Sequence, residues 1–335
     1  MAPLFTVWVY DSHQPEAWCW GSMDRLLGWV ANTDYDWYRS LRDLQEPPDE
    51  VNFWQPSGGR NFRVIEIGAP FFFRLKRPHY AIAGFGLFAS FQSAPAWLAW
   101  RSFGAKNGAN TYAELIGRIA RYNPKLAGVP IERAGSAEIG CIMVAQPVFF
   151  PEGDWIDEPR DWARNIVQGK SYSVAEGEGA RIFNECLQRT QWEGPFGPVE
   201  DRTRYGSPVF VVPRLGQGIF RMRVVDAYAR ACAVTQEHSL PVLEAAHIRP
   251  FAQEGSHSVS NGLLLRADLH RLYDTGYMTV TADHEVRVSE SLMEDFHNGR
   301  EYLRLAGRRI TVPSHTRDLP DRELLDWHVK SVFRG

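Results

Sequence analysis

The sequence has 335 residues, of which 44% are hydrophobic and 23% are charged. This balance excludes a mostly disordered chain, because so much apolar surface favours burial in a core. The formal net charge of −3 excludes a uniformly basic coat for nucleic acid, although a local basic cleft is compatible with it. At roughly 100–200 residues per domain, the length predicts two domains.

The spacing of the cysteines and the length of the apolar runs indicate the cellular compartment of the protein. Cys19, Cys141, Cys186 and Cys232 lie far apart, and no CxxC pair occurs. This spacing favours neither a disulfide framework nor a zinc knuckle. The sequence has no run of about 18 apolar residues, and its start lacks a basic region followed by a long apolar segment. We therefore expect a cytoplasmic protein with no signal peptide and no membrane span.

The first half of the chain predicts strands that are interrupted by short helices. The strand-like runs, rich in β-branched and aromatic residues, are 5–10, 63–75, 79–91 and 138–150. The helical spacing of apolar residues predicts helices at 94–104 and 110–123, the second with Asn110 as its N-cap. This alternation favours an α+β fold with a curved sheet or barrel and helices at its rim.

A segment rich in glycine, proline and acidic residues divides the chain. We interpret 176–206 as a linker with one short helix near 180–190. Residues 1–175 are then the N-terminal domain, and residues 207–335 are the C-terminal domain.

The C-terminal domain begins with a predicted helix and continues as two strands and a second helix. These elements are predicted at 218–232, 241–248, 261–267 and 268–276. Gly276 is expected to end the last helix. The runs YMTVT and EVRVSE predict a further hairpin.

Three candidate catalytic or metal-binding residues occur along these elements in a fixed order. His247 lies on the first strand, Asn261 follows 14 positions later, and His270 lies on the helix 9 positions after that. The runs LEAAHIRPF and SNGLLLRADLHRLYD that carry them resemble the HNH nuclease family, one branch of which is common in bacterial restriction enzymes. The resemblance implies a ββα-metal fold and phosphodiester hydrolysis with one divalent ion, Mg²⁺, Mn²⁺ or a similar ion.

The resemblance also implies a role for each of the three residues. His247 is the expected general base, because a histidine with a near-neutral pKa can take a proton from water. Asn261 is expected to tie the loop together and orient His247, and His270 is expected to bind the metal. Asp274, four residues after His270, projects from the same helix face and is the predicted second ligand, with Asp268 as its competitor.

One position departs from the family pattern. Many HNH nucleases carry a metal-binding residue just before the catalytic histidine, where this sequence has Ala246. Glu244 lies on the same side of the predicted strand and is the expected replacement. The zinc-binding cysteine pairs common in the family are absent, so we expect no structural zinc.

The first half contains APFFFRLKRPHYAIAGFGLFASFQSAPAWLAWRSFGAKNGA, which is similar to the PUA superfamily of EVE, ASCH, YTH and SRA domains. This resemblance spans residues 1–175 and implies a reader of modified bases. Flipping a base costs a few kcal/mol, and stacking on aromatic side chains offsets that cost by about 1–3 kcal/mol per base.

The residues predicted for such a reader are aromatic groups that stack, polar groups that read the base edge, and cations that contact phosphate. The predicted stacking residues are Trp54, Tyr80, Phe85 and Phe88. The predicted edge readers are Asp34, Asp36 and Asn61. The predicted phosphate contacts, in both domains, are Arg60, Arg63, Arg74, Lys76, Arg77, Arg249 and Arg266. Because strand side chains alternate, Phe71, Phe72 and Phe73 cannot all line one pocket.

Together these features predict a modification-dependent restriction endonuclease. Its expected partner is double-stranded DNA that contains 5-methylcytosine or 5-hydroxymethylcytosine. One HNH site cuts one strand, so a double-strand break predicts a homodimer or two binding events. Two alternatives stay open: a reader with a weak or inactive nuclease module, motivated by Ala246, and an HNH nuclease that acts on RNA or unmodified DNA.

Overall fold

A computed structural model describes residues 27–59, 61–190, 215–253 and 255–335. The predicted strand at 5–10, Arg60 and the predicted start of the C-terminal domain at 207 lie outside these ranges. Within them, no helix has both the length and the apolar character needed to cross a membrane.

One mixed sheet dominates the N-terminal part of the described chain. Its strands are β1 (Leu27–Thr33), β2 (Glu50–Gln55), β3 (Pro70–Leu75), β4 (Ala81–Pro95), β5 (Glu138–Phe149), β6 (Ile156–Asp157) and β7 (Gly169–Ser173). They lie in the order β2-β5-β4-β3-β1-β7, and β6 pairs with β4. β1 and β3 run parallel, whereas the other pairs are antiparallel. The sheet and its helices confirm the predicted α+β class.

Helices surround this sheet. They are α1 (Tyr35–Arg42), α2 (Ala96–Phe103), α3 (Tyr112–Tyr122), α4 (Ile131–Ala134) and α5 (Gly177–Thr190). The predicted N-cap of α3 is wrong by one residue. Thr111 accepts a hydrogen bond from the Glu114 amide at 3.1 Å, and the Glu114 carboxylate accepts one from the Asn110 amide at 2.8 Å. The arrangement is a variant of the capping box: the hydroxyl lies three residues before the glutamate, and the glutamate accepts from the amide just before the N-cap.

The helix predicted within the linker packs on the sheet. Ile182 and Phe183 of α5 are buried in one cluster with Phe72 of β3. Phe71 and Phe73 belong to a different cluster on the other face of the sheet. The alternation of these three phenylalanines is confirmed, and α5 belongs structurally to the N-terminal part.

The C-terminal part contains the predicted β-β-α order. Its elements are α6 (Gln217–Ala227), β8 (Leu243–His247), β9 (Gly262–Arg266), α7 (Ala267–Asp274), β10 (Met278–Val280), β11 (Val286–Val288), α8 (Ser291–Phe296), α9 (Arg300–Leu303) and α10 (Arg322–Ser331). β8 and β9 pair antiparallel, with His247 opposite Gly262, and α7 follows β9 directly. The predicted second hairpin is present as β10 and β11.

The two parts share one hydrophobic core. Leu115 of α3 and Met143 of β5 lie in the same buried cluster as Ile219 of α6 and Leu264 of β9. The position of the site is therefore set by residues from both halves of the chain.

Helix α6 is the joint between the two parts. Glu50 of β2, only 1% exposed, accepts hydrogen bonds from the amides of Gly218 and Ile219 at 2.7 and 2.9 Å. A carboxylate at a helix N-terminus satisfies amides that have no partner within the helix and interacts favourably with the helix dipole. The N-terminal sheet thus determines where α6 begins, and α6 in turn packs against β8 and β9.

Candidate active site

A cleft with a volume of about 1070 Å³ lies where the two parts of the chain meet. Asp49 and Lys106 contribute to its wall from the N-terminal part, and Arg221 contributes from α6. The predicted site residues that line it are Glu244, His247, His270 and Asp274.

His247 is the last residue of β8 and has a partly dehydrated ring. The ring stacks on Phe220 of α6, with centroids 3.9 Å apart and an interplanar angle of 12°. Its Nε2 atom lies 3.0 Å from Nδ1 of His257. Burial, with smaller contributions from the nearby His257 and His270, lowers the pKa of His247 to about 4. The ring is therefore neutral near neutral pH, which is the state that a general base requires.

Gly262 allows α6 to approach the hairpin closely enough for this stacking. A Cβ atom at position 262 would lie 2.6 Å from Cγ2 of Val224 and 3.0 Å from the Phe220 ring. Any larger residue would push the helix and its phenylalanine away from His247.

Asn261 organises the loop between the two strands. Its Oδ1 accepts from the Arg249 amide at 2.9 Å, and its Nδ2 donates to the carbonyls of Arg249 and Ser256 at 2.9 and 2.8 Å. The side chain is fully buried. This geometry assigns Asn261 a positioning role in the loop that follows His247.

His270 contacts both carboxylates that were predicted to share its site. Its Nδ1 lies 2.9 Å from Oε2 of Glu244, and its Nε2 lies 3.3 Å from Oδ2 of Asp274. Burial raises the pKa of Asp274, and the negative charge of Glu244 adds to that rise.

Asp268, the competitor of Asp274, is engaged elsewhere. Arg266 donates two hydrogen bonds to its carboxylate at 2.7 and 2.6 Å, and the Tyr302 hydroxyl donates a third at 3.3 Å. The same contacts occupy the guanidinium of Arg266, which was predicted to bind phosphate.

The chemistry of this donor set fits a divalent cation. One imidazole and two carboxylates are ligands that such ions accept. Within the described ranges, however, no group of three or more His, Cys, Asp or Glu side chains is arranged to hold an ion. Glu244 and Asp274 instead contact the two ring nitrogens of His270. Ala246 is fully buried and offers no ligand.

Two of the predicted stacking residues are core residues. Phe85 and Phe88 are 1% and 5% exposed and lie in the two clusters that cover opposite faces of β4. The prediction that they stack on a base is wrong, because both faces of this strand are buried. Tyr80 is 41% exposed, and its ring lies 5.5 Å from Cζ of Arg74.

Arg74 is also placed differently from its prediction. Its guanidinium pairs with Glu158 and donates to Oδ1 of Asn32 at 2.6 Å. The side chain is buried, so the prediction of a phosphate contact is wrong. The arginine instead pairs with a partly exposed carboxylate and a partly exposed side-chain amide.

The structure brings four other N-terminal residues together. Asp34 accepts hydrogen bonds from Lys76 Nζ at 2.8 Å and from the Tyr122 hydroxyl at 3.0 Å. The Trp54 ring lies 6.5 Å from that of Tyr122. The remaining predicted residues Asp36, Asn61, Arg63 and Arg77 are exposed. Arg249 places its Cζ 5.3 Å from the Trp327 ring.

Three residues of the site region were not predicted. His257 contacts His247, and its position in the loop before Asn261 was the available signal. Arg101 of α2 donates to Oε1 of Glu244 at 3.0 Å across 143 positions of sequence, a separation with no local signal. His328 of α10 lines the cleft, stacks on Tyr273 with centroids 3.7 Å apart, and has an Nε2 with no hydrogen-bond partner in the described ranges.

Comparison with known families supports this geometry. Residues 232–281 match the HNH_2 family, described as an HNH endonuclease. This segment contains β8, β9 and α7 and forms an HNH endonuclease domain, which confirms the predicted enzyme class. HNH nucleases generally use a divalent metal ion.

Two solved structures show a weak similarity to this chain. No curated protein matches the sequence. An ASCH protein from Zymomonas mobilis is 9% identical, covers 47% of this chain and 93% of its own, and has a TM-score of 0.29. A modification-dependent restriction endonuclease, TagI, is 13% identical, covers 92% of this chain and 81% of its own, and has a TM-score of 0.27. At these TM-scores, neither structure bears on the function of this chain.

Proposed function

We propose that the protein is a modification-dependent restriction endonuclease. Its N-terminal part would select duplex DNA that contains 5-methylcytosine or 5-hydroxymethylcytosine, and its HNH domain would hydrolyse a phosphodiester bond nearby. The observation that carries the proposal is the position of His247, stacked on Phe220, in a cleft whose walls come from both parts of the chain. DNA held by the N-terminal part would therefore lie close to the hydrolytic residues.

In this proposal His247 acts as the general base. It takes a proton from water as the water oxygen bonds to phosphorus and the bond to the leaving oxygen breaks. His257, 3.0 Å from Nε2, offers that proton a second acceptor. Asn261 keeps the loop after His247 in place, so that the base and its partner stay aligned.

His270, Asp274 and Glu244 are the residues that we propose to hold one divalent ion, Mg²⁺ or Mn²⁺. A bound ion supplies charge stabilisation to the phosphate and the leaving oxygen. Glu244 then replaces the ligand that Ala246 lacks, and Arg101 orients it through its other oxygen.

The modified base is proposed to bind at the N-terminal cluster of Trp54, Asp34, Lys76 and Tyr122. Trp54 is partly exposed and donates its Nε1 hydrogen bond to the Asn107 carbonyl at 3.1 Å, which fixes its indole ring. A fixed aromatic ring is suited to stack on a flipped base. A double-strand break would need two HNH sites, which a homodimer would supply.

The test is cleavage of one plasmid in four forms: unmodified, 5-methylcytosine, 5-hydroxymethylcytosine and glucosylated. Each form is incubated with Mg²⁺, Mn²⁺ or EDTA. We expect cutting of a modified form only, and none in EDTA. Equal cutting of every form would retain the nuclease and reject the reader.

A second candidate function is a modified-base reader with an inactive nuclease module. Buried Ala246 and the pairing of both carboxylates with His270 favour it. It predicts that no form of the plasmid is cut with any divalent ion, while modified DNA is still bound more tightly than unmodified DNA.

A further inference from the structure

We propose that Arg221 and Arg334 bind backbone phosphates of the DNA strand to be cut, at the two ends of the Glu244–His270–Asp274 cluster. This inference rests on the proposed function, because it assumes that the HNH cleft accepts DNA.

Arg221 is a partly buried cation that forms no close ion pair within the described residues. It lines the cleft, and its Nη1 donates to the Arg101 carbonyl at 3.2 Å. Among the residues that the structure describes, no carboxylate oxygen lies within 4.0 Å of its guanidinium. Burial lowers the pKa of Arg221 and the charge of Arg101 adds to this effect, whereas the more distant charge of Glu244 opposes it in part.

A guanidinium in this position gains from an anion. Removing a charge from water costs free energy unless an opposite charge or hydrogen bonds compensate for it. The arginine fork has five N–H donors that match the geometry of phosphate oxygens. The Arg101 carbonyl satisfies part of this fork and fixes its orientation, and a phosphate would supply the missing charge.

Arg334 lines the same cleft from the C-terminal segment. Its amide donates to the Gly276 carbonyl at 2.9 Å, and its carbonyl accepts from the Ser289 hydroxyl. Its guanidinium donates to the Tyr277 hydroxyl at 2.9 Å and lies over that ring. In the described parts of the chain, no carboxylate lies within ion-pair distance of it.

Gly276 allows this segment to lie beside the end of α7. The residue has φ of +80°, and a Cβ there would lie 2.1 Å from the Val332 carbonyl oxygen. The close approach keeps Arg334 near the end of the helix that carries His270 and Asp274.

The two arginines are associated with different residues of the acidic cluster. The charge of Arg221 acts on Glu244, which contacts His270 on one side. Asp274 contacts His270 on the other side, two residues before the Gly276 carbonyl that binds Arg334.

The other cations of the cleft region are neutralised within the protein. Lys106 pairs with Asp49 and approaches Glu50 at 3.7 Å, and Arg101 pairs with Glu244 at 3.0 Å. Among the Lys and Arg side chains that line the cleft in the described residues, Arg221 and Arg334 are therefore the two without a carboxylate at ion-pair distance.

The experiment measures the affinity of the full chain for a duplex with 5-methylcytosine, in EDTA and with His247→Ala to prevent cutting. The logarithm of the binding constant changes with the logarithm of salt concentration by about 0.9 for each phosphate contacted. We expect Arg221→Gln and Arg334→Gln each to reduce this slope by about 0.9. Between about 50 and 200 mM salt, the loss of affinity then shrinks about threefold for each variant.

The controls remove equivalent charges outside the cleft. Arg304 and Arg322 are exposed and pair with Glu301 and Asp283. Arg304→Gln and Arg322→Gln should retain the wild-type slope. Unchanged slopes in the two cleft variants, or equal reductions in the controls, would overturn the proposal.

Two further variants separate charge from packing. Arg221→Lys and Arg334→Lys keep the positive charge and should keep the slope, even where the glutamine variant lowers the melting temperature. If the lysine variants reduced the salt slope as much as the glutamine variants do, phosphate binding would be refuted. The reduction would then reflect disturbed packing and not the lost charge.

An unmodified duplex distinguishes failure of this inference from failure of the proposed function. Equal affinity of the wild type for both duplexes would remove the modification preference, while reduced slopes in the arginine variants would still support the two contacts. Unchanged slopes together with a clear preference for the modified duplex would reject the contacts alone.

Discussion

His247 owes its protonation state to its surroundings. Phe220 covers one face of the ring, and burial lowers the pKa to about 4. The loop that carries His257 supplies a neighbour at hydrogen-bond distance. A more exposed histidine at this position would be partly protonated near neutral pH, whereas His247 stays neutral and able to accept a proton.

His247→Ala is expected to reduce DNA cleavage by about 10²–10⁴-fold, because general-base catalysis contributes this much to rate. DNA binding and the melting temperature should stay close to those of the wild type. Single-turnover cleavage and a binding titration measure the two effects. The exposed His238 provides the control: an equal loss in His238→Ala would contradict the assignment.

Asn261→Ala should lower the free energy of unfolding by about 1–3 kcal/mol, the usual cost of buried polar groups left without partners. The variant loses hydrogen bonds to the Arg249 amide, the Arg249 carbonyl and the Ser256 carbonyl. Urea denaturation measures the change. Asn298→Ala, at an exposed position, should change stability by less than about 0.5 kcal/mol. Equal effects of the two substitutions would argue against the loop-organising role.

At the scale of elements, α6 connects the sheet to the nuclease hairpin. Its first turn is bound by Glu50, and its side chains reach both His247 and the cleft. A small displacement of this one helix would therefore alter the environment of the base and the position of Arg221 together.

Gly262→Ala tests the close packing of α6. The added methyl meets Val224 and Phe220, so we expect a loss of about 1–3 kcal/mol in stability and weaker cleavage. Gly117 lies in α3, and a Cβ there meets nothing within 4 Å. Gly117→Ala should instead stabilise the protein by up to about 1 kcal/mol. Thermal unfolding of both variants measures the contrast, and destabilisation by Gly117→Ala alone would contradict the packing argument.

At the scale of the whole molecule, one core joins the N-terminal sheet to the HNH domain. Met143 and Leu264 share a buried cluster, and Arg101 and Glu244 pair across the joint. The N-terminal part therefore supports the nuclease site directly, as well as providing the proposed reader.

The stability of the whole chain should depend on pH through His328. Burial lowers the pKa of His328 to about 4, below the ordinary value of 6.5. The unfolded chain thus binds a proton at a higher pH than the folded chain. The stabilisation is complete above pH 6.5 and is lost as the pH falls towards 4.

Between about pH 7 and pH 5, this residue alone should lower the free energy of unfolding by about 2 kcal/mol. His328→Gln is expected to remove that part of the dependence. Urea denaturation of the wild type and the variant at both pH values measures this difference. Identical pH dependences would show that the protonation state of His328 is the same in the folded and the unfolded chain.

Local patterns in the sequence determined much of the nuclease module. The hairpin, the following helix and the shared face of His270 and Asp274 depend on short-range periodicity, and the structure contains all of them. In the described N-terminal part, three of the seven strands (β3, β4 and β5) and three of the five helices (α2, α3 and α5) were predicted, although β3 begins at Pro70 rather than at residue 63. The elements that were not predicted have short apolar patterns: β1, β2, β6, β7, α1, α4, α8, α9 and α10.

Only the tertiary structure decided which residues meet at the site and which fill the core. Arg101 and Glu244 lie 143 positions apart, and they pair because α2 and β8 are brought together around α6. Phe85 and Phe88 are core residues because both faces of β4 are covered, a property of the packed sheet that strand periodicity does not encode. Contacts of this kind depend on how elements pack, whereas the order of the elements depends on neighbours in the chain.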